Sequence, residues 1–124
     1  MKLEHIGLAI KDHSEIKEFY QNILGMNEVK TFSINNDLSW EIFGINYSPR
    51  VYLLEKNNVF LEIFISPELY NQCFRHLCIS VENRDLIIKK AKQYNYKVIC
   101  KKREKSDLVF LRDKAGNIFE IKEQ

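Results

Sequence analysis

The feature that most constrains the fold of this chain is a succession of elements that occurs twice. In the first half, residues 3–10 alternate between apolar side chains and small or polar ones, which predicts a strand. Ser14 is a suitable N-cap for a helix of about three turns, whose apolar residues recur at helical spacing until Gly25 ends it. Segments rich in β-branched and aromatic residues follow between turn signals, and they predict three or four strands: Glu28–Ser33, Leu38–Phe43, Val51–Glu55 and Val59–Ile65.

The same order of elements starts again near residue 74. Phe74–Val81 predicts a strand, and Asn83 or Asp85 can cap the helix that follows. Three further strands are then predicted: Lys97–Cys100, Leu108–Leu111 and Ile118–Lys122. Because internal repetition limits a fold more than any single propensity does, we predict an α+β protein of paired βαβββ modules. The 124 residues fit one domain, with the modules at about 1–66 and about 74–124.

Charge and composition argue against large polyanionic partners. The formal net charge of +2 is too small to indicate attraction to nucleic acid or to a membrane. Residues 89–105 hold seven lysines and one arginine. Because no interleaved aromatic platform accompanies these charges, the stretch is more typical of a solvated surface than of an RNA-binding one.

The sequence also favours the cytoplasm. Its three cysteines, Cys73, Cys78 and Cys100, are odd in number and lack Cys-x-x-Cys spacing, so they predict neither a disulfide framework nor a zinc knuckle. Charged residues stand at the N-terminus where a signal peptide would be apolar, and no apolar run approaches the roughly 18 residues of a membrane helix.

Each half places a histidine in its first strand and a glutamate in its last. Small residues follow His5 and His76 on the same face of the strand, so each imidazole should point into open space. Glu62 and Glu120 have apolar neighbours in the sequence. An unpaired carboxylate away from water is costly or becomes protonated, and a divalent cation would compensate it. Two imidazoles and two carboxylates suit nickel, cobalt, zinc, iron or manganese better than calcium or magnesium.

Taken singly, each of these residues has a simpler interpretation. A strand histidine is more often a hydrogen-bonded core residue than a ligand, and a strand glutamate usually faces water. The metal site is favoured because the same residue types occupy matching places in both halves. Other candidates are weaker: His13 is interpreted as a solvated turn residue, Cys78 as a small packed side chain rather than a nucleophile, and Ser80 lacks the context of a serine triad.

Four segments carry a recognisable motif: Leu3-Glu4-His5-Ile6-Gly7-Leu8-Ala9-Ile10, Phe19-Tyr20-Gln21-Asn22-Ile23-Leu24-Gly25-Met26, Arg75-His76-Leu77 and Asp113-Lys114-Ala115-Gly116-Asn117-Ile118-Phe119-Glu120. Together they resemble the vicinal oxygen chelate superfamily, which includes glyoxalase I, extradiol dioxygenases and bleomycin-binding proteins. The phrase F-Y-x-x-x-L-G-M followed by D-x-x-G-N-x-x-E is fairly specific to it, and the likeness covers almost the whole chain. The resemblance implies that the paired modules form a half-open mixed-sheet barrel, which many short relatives complete as a homodimer.

The resemblance also implies an activity. A second glutamate, Glu62, at the end of the first half makes the order of ligands most like that of glyoxalase I. One divalent metal, nickel, cobalt or zinc, is then held by His5, Glu62, His76 and Glu120. The implied reaction converts a thiol hemithioacetal, or a related 2-hydroxy carbonyl compound, through an enediolate. Glu120 would be the proton-transferring base and Glu62 the second catalytic carboxylate.

The sequence departs from glyoxalase I where glutathione would bind. Ala9 stands where bacterial glyoxalase I enzymes have an arginine, and Ser66 stands where an asparagine is expected. The turn Asp113-Lys114-Ala115-Gly116 also lacks the usual proline. The metal site is therefore better supported than glutathione as the thiol. Two alternatives stay open: a small-molecule binding or resistance protein in which metal is absent or incidental, and a thioester epimerase of the methylmalonyl-CoA type.

Overall fold

The computed structural model describes residues 3–68 and 76–124, in which the strands form two sheets. The first sheet contains β1 (Ile6–Ile10), β2 (Asn27–Ser33), β3 (Arg50–Lys56) and β4 (Val59–Ile65). The second contains β5 (Leu77–Val81), β6 (Lys97–Lys101), β7 (Leu108–Arg112) and β8 (Ile118–Glu123). The helical elements are a π-helix (Ile16–Gln21), α1 (Asn36–Phe43) and α2 (Arg84–Gln93).

The two sheets have the same topology. Their strand orders are β1-β4-β3-β2 and β5-β8-β7-β6. In each sheet the first strand runs parallel to the last, and the remaining neighbours are antiparallel. The fold class predicted from the repeated sequence pattern, paired βαβββ modules in mixed sheets, is therefore confirmed.

The strand predicted at Leu38–Phe43 is wrong, because this segment is helix α1. The Asn35 side chain accepts a hydrogen bond from the Leu38 amide at 2.8 Å, and Gly44 ends the helix in the left-handed region at φ 68°. The strand was predicted because this segment, with Leu38, Trp40 and Ile42, is rich in β-branched and aromatic residues between turn signals. On the helix these three side chains are exposed.

The helix predicted between Ser14 and Gly25 is present but is shorter and wider than expected. Hydrogen bonds from Asn22 N to Lys17 O and from Leu24 N to Phe19 O span five residues, which is the spacing of a π-helix. Glu15 directly precedes it and makes no side-chain capping bond. Gly25 adopts φ 71°, so it supplies the predicted stop.

The described residues divide into two compact units, 3–13 with 25–68 and 14–24 with 76–124. The π-helix of the first module therefore belongs to the unit of the second sheet. Within that unit, the Phe19 ring lies 5.4 Å from the Phe119 ring and 5.0 Å from the Tyr96 ring. Contacts between residues so distant along the chain leave no sign in a local sequence pattern. The single domain over residues 1–124 stays a prediction.

Alternation along the last strand of each sheet decides which side chains face the core. Leu61 and Ile63 on β4 are buried, as are Phe119 and Ile121 on β8. Each such side chain stabilises the fold by about 1.5–3 kcal/mol when fully buried. Because successive residues of a strand point to opposite faces, the residues between them, Glu62 and Glu120, lie on the other face of their sheets.

Two sequence expectations concern the remaining parts of the chain. Phe74, where the fifth strand was predicted to begin, and Cys73 lie outside the described residues, and β5 begins at Leu77. Across 3–68 and 76–124, none of the helices combines the length and apolar character needed to cross a membrane.

Candidate metal centre

The first sheet brings His5 and Glu62 together. His5 directly precedes β1, and the parallel pairing sets Gly7 opposite Glu62 on β4. His5 and Gly7 share a strand face, so the imidazole reaches the carboxylate across the two strands. His5 Nε2 lies 3.2 Å from Glu62 Oε2, with the side chains 47% and 20% exposed.

The second sheet repeats this arrangement with His76 and Glu120. His76 directly precedes β5, and the pairing of β5 with β8 sets Cys78 opposite Glu120. His76 Nε2 lies 3.7 Å from Glu120 Oε2, with the side chains 44% and 16% exposed. Lys122 Nζ is 3.8 Å from the other carboxylate oxygen of Glu120. Equivalent positions of two homologous sheets thus carry the same pair of donors.

Both carboxylates are partly exposed and have a neighbouring donor. The sequence-based expectation that they are isolated, buried charges is therefore wrong. Glu62 and Glu120 are partly exposed because they lie on the strand faces opposite the buried residues. The chemistry of the donors still fits a metal. Each pair offers an imidazole nitrogen and a carboxylate oxygen, both of which are ligands for zinc, nickel, cobalt and manganese.

The structure brings the four predicted ligands together as two pairs, each inside one compact unit. Within residues 3–68 and 76–124, no group of three or more histidine, cysteine, aspartate or glutamate side chains is arranged to hold a metal ion. Protein metal sites for these ions commonly use three or four protein ligands, so one pair alone is an incomplete shell. The site of four ligands stays a prediction.

The weaker sequence candidates also have defined positions. Cys78 is exposed on the face that carries His76, and the corresponding place in the first sheet is Gly7. Loss of hydration, together with the negative charge of Glu120, raises the pKa of the Cys78 thiol, which disfavours the thiolate that a nucleophile requires. His13 is exposed, with its ring centroid 6.0 Å from that of Tyr52.

A buried carboxylate that was predicted only as part of the sequence motif supports the turn before β8. Asp113 is 4% exposed and accepts hydrogen bonds from the Tyr20 hydroxyl at 2.9 Å and from the Asn117 amide at 2.8 Å. The Asn117 side-chain amide donates a third bond at 2.8 Å. Burial raises the pKa of Asp113, although these bonds oppose the shift. This network holds the turn that leads into the strand of Glu120.

A second buried carboxylate lies beside the π-helix. Glu15 is 2% exposed and accepts hydrogen bonds from the Tyr96 hydroxyl and the Lys114 amide, both at 2.8 Å. Burial raises the pKa of Glu15. Of the residues in these two hydrogen-bond networks, Tyr20, Asp113 and Asn117 belong to the family motif. Their contacts support the fold and do not form a ligand-binding site.

These features place the chain in a known family. The sequence matches the Glyoxalase/Bleomycin resistance protein/Dioxygenase superfamily over residues 2–121, so the chain belongs to that superfamily. Comparison with curated protein sequences found no match.

Solved structures share the fold at low sequence identity. The genomically encoded fosfomycin resistance protein FosX from Listeria monocytogenes superposes with a TM-score of 0.77 at 16% identity, covering 100% of this chain and 93% of that one. A glyoxalase family protein from Enterococcus faecalis gives 0.73 at 18% identity, covering 97% and 95%. FosX from Mesorhizobium loti gives 0.71 at 12% identity, covering 98% and 90%.

Proposed function

We propose that this chain is a divalent-metal-dependent lyase or isomerase of the glyoxalase I type. The observation that carries the proposal is the histidine–glutamate pair at equivalent positions of both sheets, at 3.2 Å for His5–Glu62 and 3.7 Å for His76–Glu120. A metal site with a single glutamate ligand does not require a histidine–glutamate pair in the first sheet. Glu62 therefore favours the glyoxalase I type over the superfamily members with a single glutamate.

The four residues form a mixed donor set of two imidazoles and two carboxylates. It suits nickel, cobalt or zinc, and we include manganese because an E126Q mutant of the Listeria FosX is described in complex with Mn(II). When bound, such a metal stabilises negative charge on two neighbouring oxygens of the substrate.

The chain's own residues would then move the proton. The Glu120 carboxylate takes a proton from the carbon next to the substrate carbonyl, leaving an enediolate, and returns the proton to the adjacent carbon. The product is an isomer of the starting adduct, so no oxidant or reductant is needed. Glu62 is the second carboxylate of the site, and His5 and His76 hold their positions as ligands. The substrate is a small thiol adduct or 2-hydroxy carbonyl compound, and we propose that the protein acts as a cytoplasmic homodimer.

Metal binding is tested first. The wild-type chain, His76→Ala and Glu120→Gln are titrated with nickel, cobalt, zinc and manganese by calorimetry, after elemental analysis of each preparation. We expect wild type to bind one ion per chain and both variants to bind at least about tenfold more weakly. His13→Ala is the matched control, because it removes an exposed histidine that belongs to neither pair. Absence of uptake of every metal by wild type would refute the proposal.

The reaction is tested with methylglyoxal and several thiols. In the glyoxalase I type, Glu120→Gln should lower kcat by about 10²- to 10⁴-fold while the fold is retained, since a positioned general base contributes on that scale. Fosfomycin belongs in the same assay because several proteins of this fold are named for resistance to it. Metal binding without turnover of any thiol adduct would instead favour the epimerase or binding alternatives.

A further inference from the structure

A cavity of about 180 Å³ lies beside Glu120 in the unit of the second sheet. Arg84, at the start of α2, Arg103, in the β6–β7 loop, and Lys122, on β8, contribute three cationic side chains to its lining. Arg103 belongs to the basic stretch 89–105 that was predicted to be a solvated surface, but here it lines a concave site together with Arg84 and Lys122.

Arg84 has a hydrogen-bonding defect in this cavity. Its Nη1 donates to the Asp107 carbonyl oxygen at 3.1 Å, which fixes the plane of the guanidinium group. Its Nε is buried and has no hydrogen-bond partner among the described residues. A buried charged donor without an acceptor is unfavourable, and in native proteins such groups are normally satisfied by protein, water or ligand. Arg84 lines the cavity, so one cationic group of its lining has a donor that the protein leaves unsatisfied.

The acidic residues around the cavity already have partners. Asp107 forms an ion pair with Lys102 at 2.9 Å, and Lys122 lies 3.8 Å from Glu120, so Lys122 is already paired. Glu123 accepts a hydrogen bond from the Arg84 backbone amide at 2.8 Å. Arg103 Nε donates to the Ser106 carbonyl oxygen at 3.2 Å. In the described part of the chain, neither Arg84 nor Arg103 forms an ion pair with a carboxylate. Two guanidinium groups therefore retain donors for an external anion.

We infer that this cavity binds the oxyanion group of a small substrate, such as a phosphate, phosphonate or carboxylate. A planar guanidinium matches the geometry of these groups and can bind two of their oxygens at once. Glu120 lines the same cavity, so an anion held here lies close to the proposed base. That last step rests on the proposed function, whereas binding of the anion does not.

The test is calorimetric titration of the full chain, as purified, with inorganic phosphate, methylphosphonate and acetate at constant ionic strength. We expect saturable binding by wild type that is weakened about tenfold or more in Arg84→Gln and in Arg103→Gln. Arg103 is exposed, so its variant keeps the test valid if Arg84→Gln does not fold. Lys89→Gln removes the same charge from an exposed position of α2 outside the cavity and should bind like wild type. The anion that binds most tightly identifies the group.

A second comparison separates this inference from the proposed function. His76→Ala weakens the proposed metal site but leaves the cavity lining intact, so it should bind the anion as wild type does. Anion binding that disappears in His76→Ala would show that a metal holds the anion and would overturn the cavity site. Absence of saturable binding of all three anions, or equal weakening in Lys89→Gln, would overturn it as well. Neither result would affect the metal titration.

Discussion

At the scale of single residues, the carboxylates of this chain have two different surroundings. Glu62 and Glu120 are partly exposed and lie beside imidazoles, which leaves their oxygens available to a ligand. Asp113 and Glu15 are buried and accept two or three hydrogen bonds each from the protein. The first pair is suited to binding a ligand and the second to supporting the fold.

Replacing Asp113 should destabilise the turn before β8. In Asp113→Asn an amide NH₂ takes the place of one carboxylate oxygen and faces donors of Tyr20 and Asn117. We expect the free energy of unfolding to fall by about 1–3 kcal/mol, the cost of unsatisfied buried groups. Urea denaturation measures it. Asp37→Asn, at an exposed position, should change it by less than about 0.5 kcal/mol, and equal losses in both variants would contradict the role of Asp113.

Glu15 should make stability depend on pH. Burial raises its folded-state pKa above the ordinary 4.5, so above that pH the folded chain retains a proton that the unfolded chain releases. The contribution of protonated Glu15 is complete below the ordinary value and is lost as pH rises through the raised one. Glu15→Gln lacks this pH-dependent contribution to stability. Its unfolding free energy, measured relative to wild type between about pH 4 and about pH 8, should therefore increase with pH. A constant difference over this range would contradict the assignment.

At the scale of elements, the sequence predicted helices and strands well where residue composition and the turn signals at their ends agreed. Strands β3 and β4 were predicted almost to the residue because β-branched and aromatic side chains lie between clear turns. Helix α1 was missed because its segment has the β-branched and aromatic content of a strand, while the residues that favour the helix, Asn35 and Gly44, stand at its ends. Capping residues can favour a helix in a short segment with strand-like composition, since they satisfy the backbone groups that a helix leaves unpaired.

The assignment of the π-helix to the unit of the second sheet can be tested directly. Phe19 is fully buried and contacts Phe119 of the second sheet, so Phe19→Ala should lower the free energy of unfolding by about 3–5 kcal/mol. Phe43 on α1 is 49% exposed and its ring lies 5.5 Å from that of Phe64. Phe43→Ala is the matched control and should cost about 1 kcal/mol. Similar losses in guanidinium denaturation would mean that the helix is not packed as described.

At the scale of the whole molecule, that the four residues form one metal site stays a prediction, but the sequence repeat predicted the architecture and singled out the residues that the structure pairs in each sheet. It could do so because each half repeats a complete sheet, and an equivalent position in an equivalent sheet has an equivalent neighbour. Arg84 and Arg103 were not predicted as a site, because no local period connects the start of α2 with the β6–β7 loop. Convergence of that kind depends on tertiary packing alone.

The proposed site also predicts how the two halves should behave together. If His5 and His76 are ligands of one ion, His5→Ala and His76→Ala should each weaken metal binding by about tenfold or more, although the residues lie in different compact units. The loss of metal affinity in the double variant should then be far smaller than the sum of the two single losses. A site that has lost one essential ligand has little affinity left to lose. Calorimetric titration of wild type, both single variants and the double variant measures this coupling. Two ions per wild-type chain, each lost independently with its own histidine, would instead assign one separate metal site to each histidine–glutamate pair.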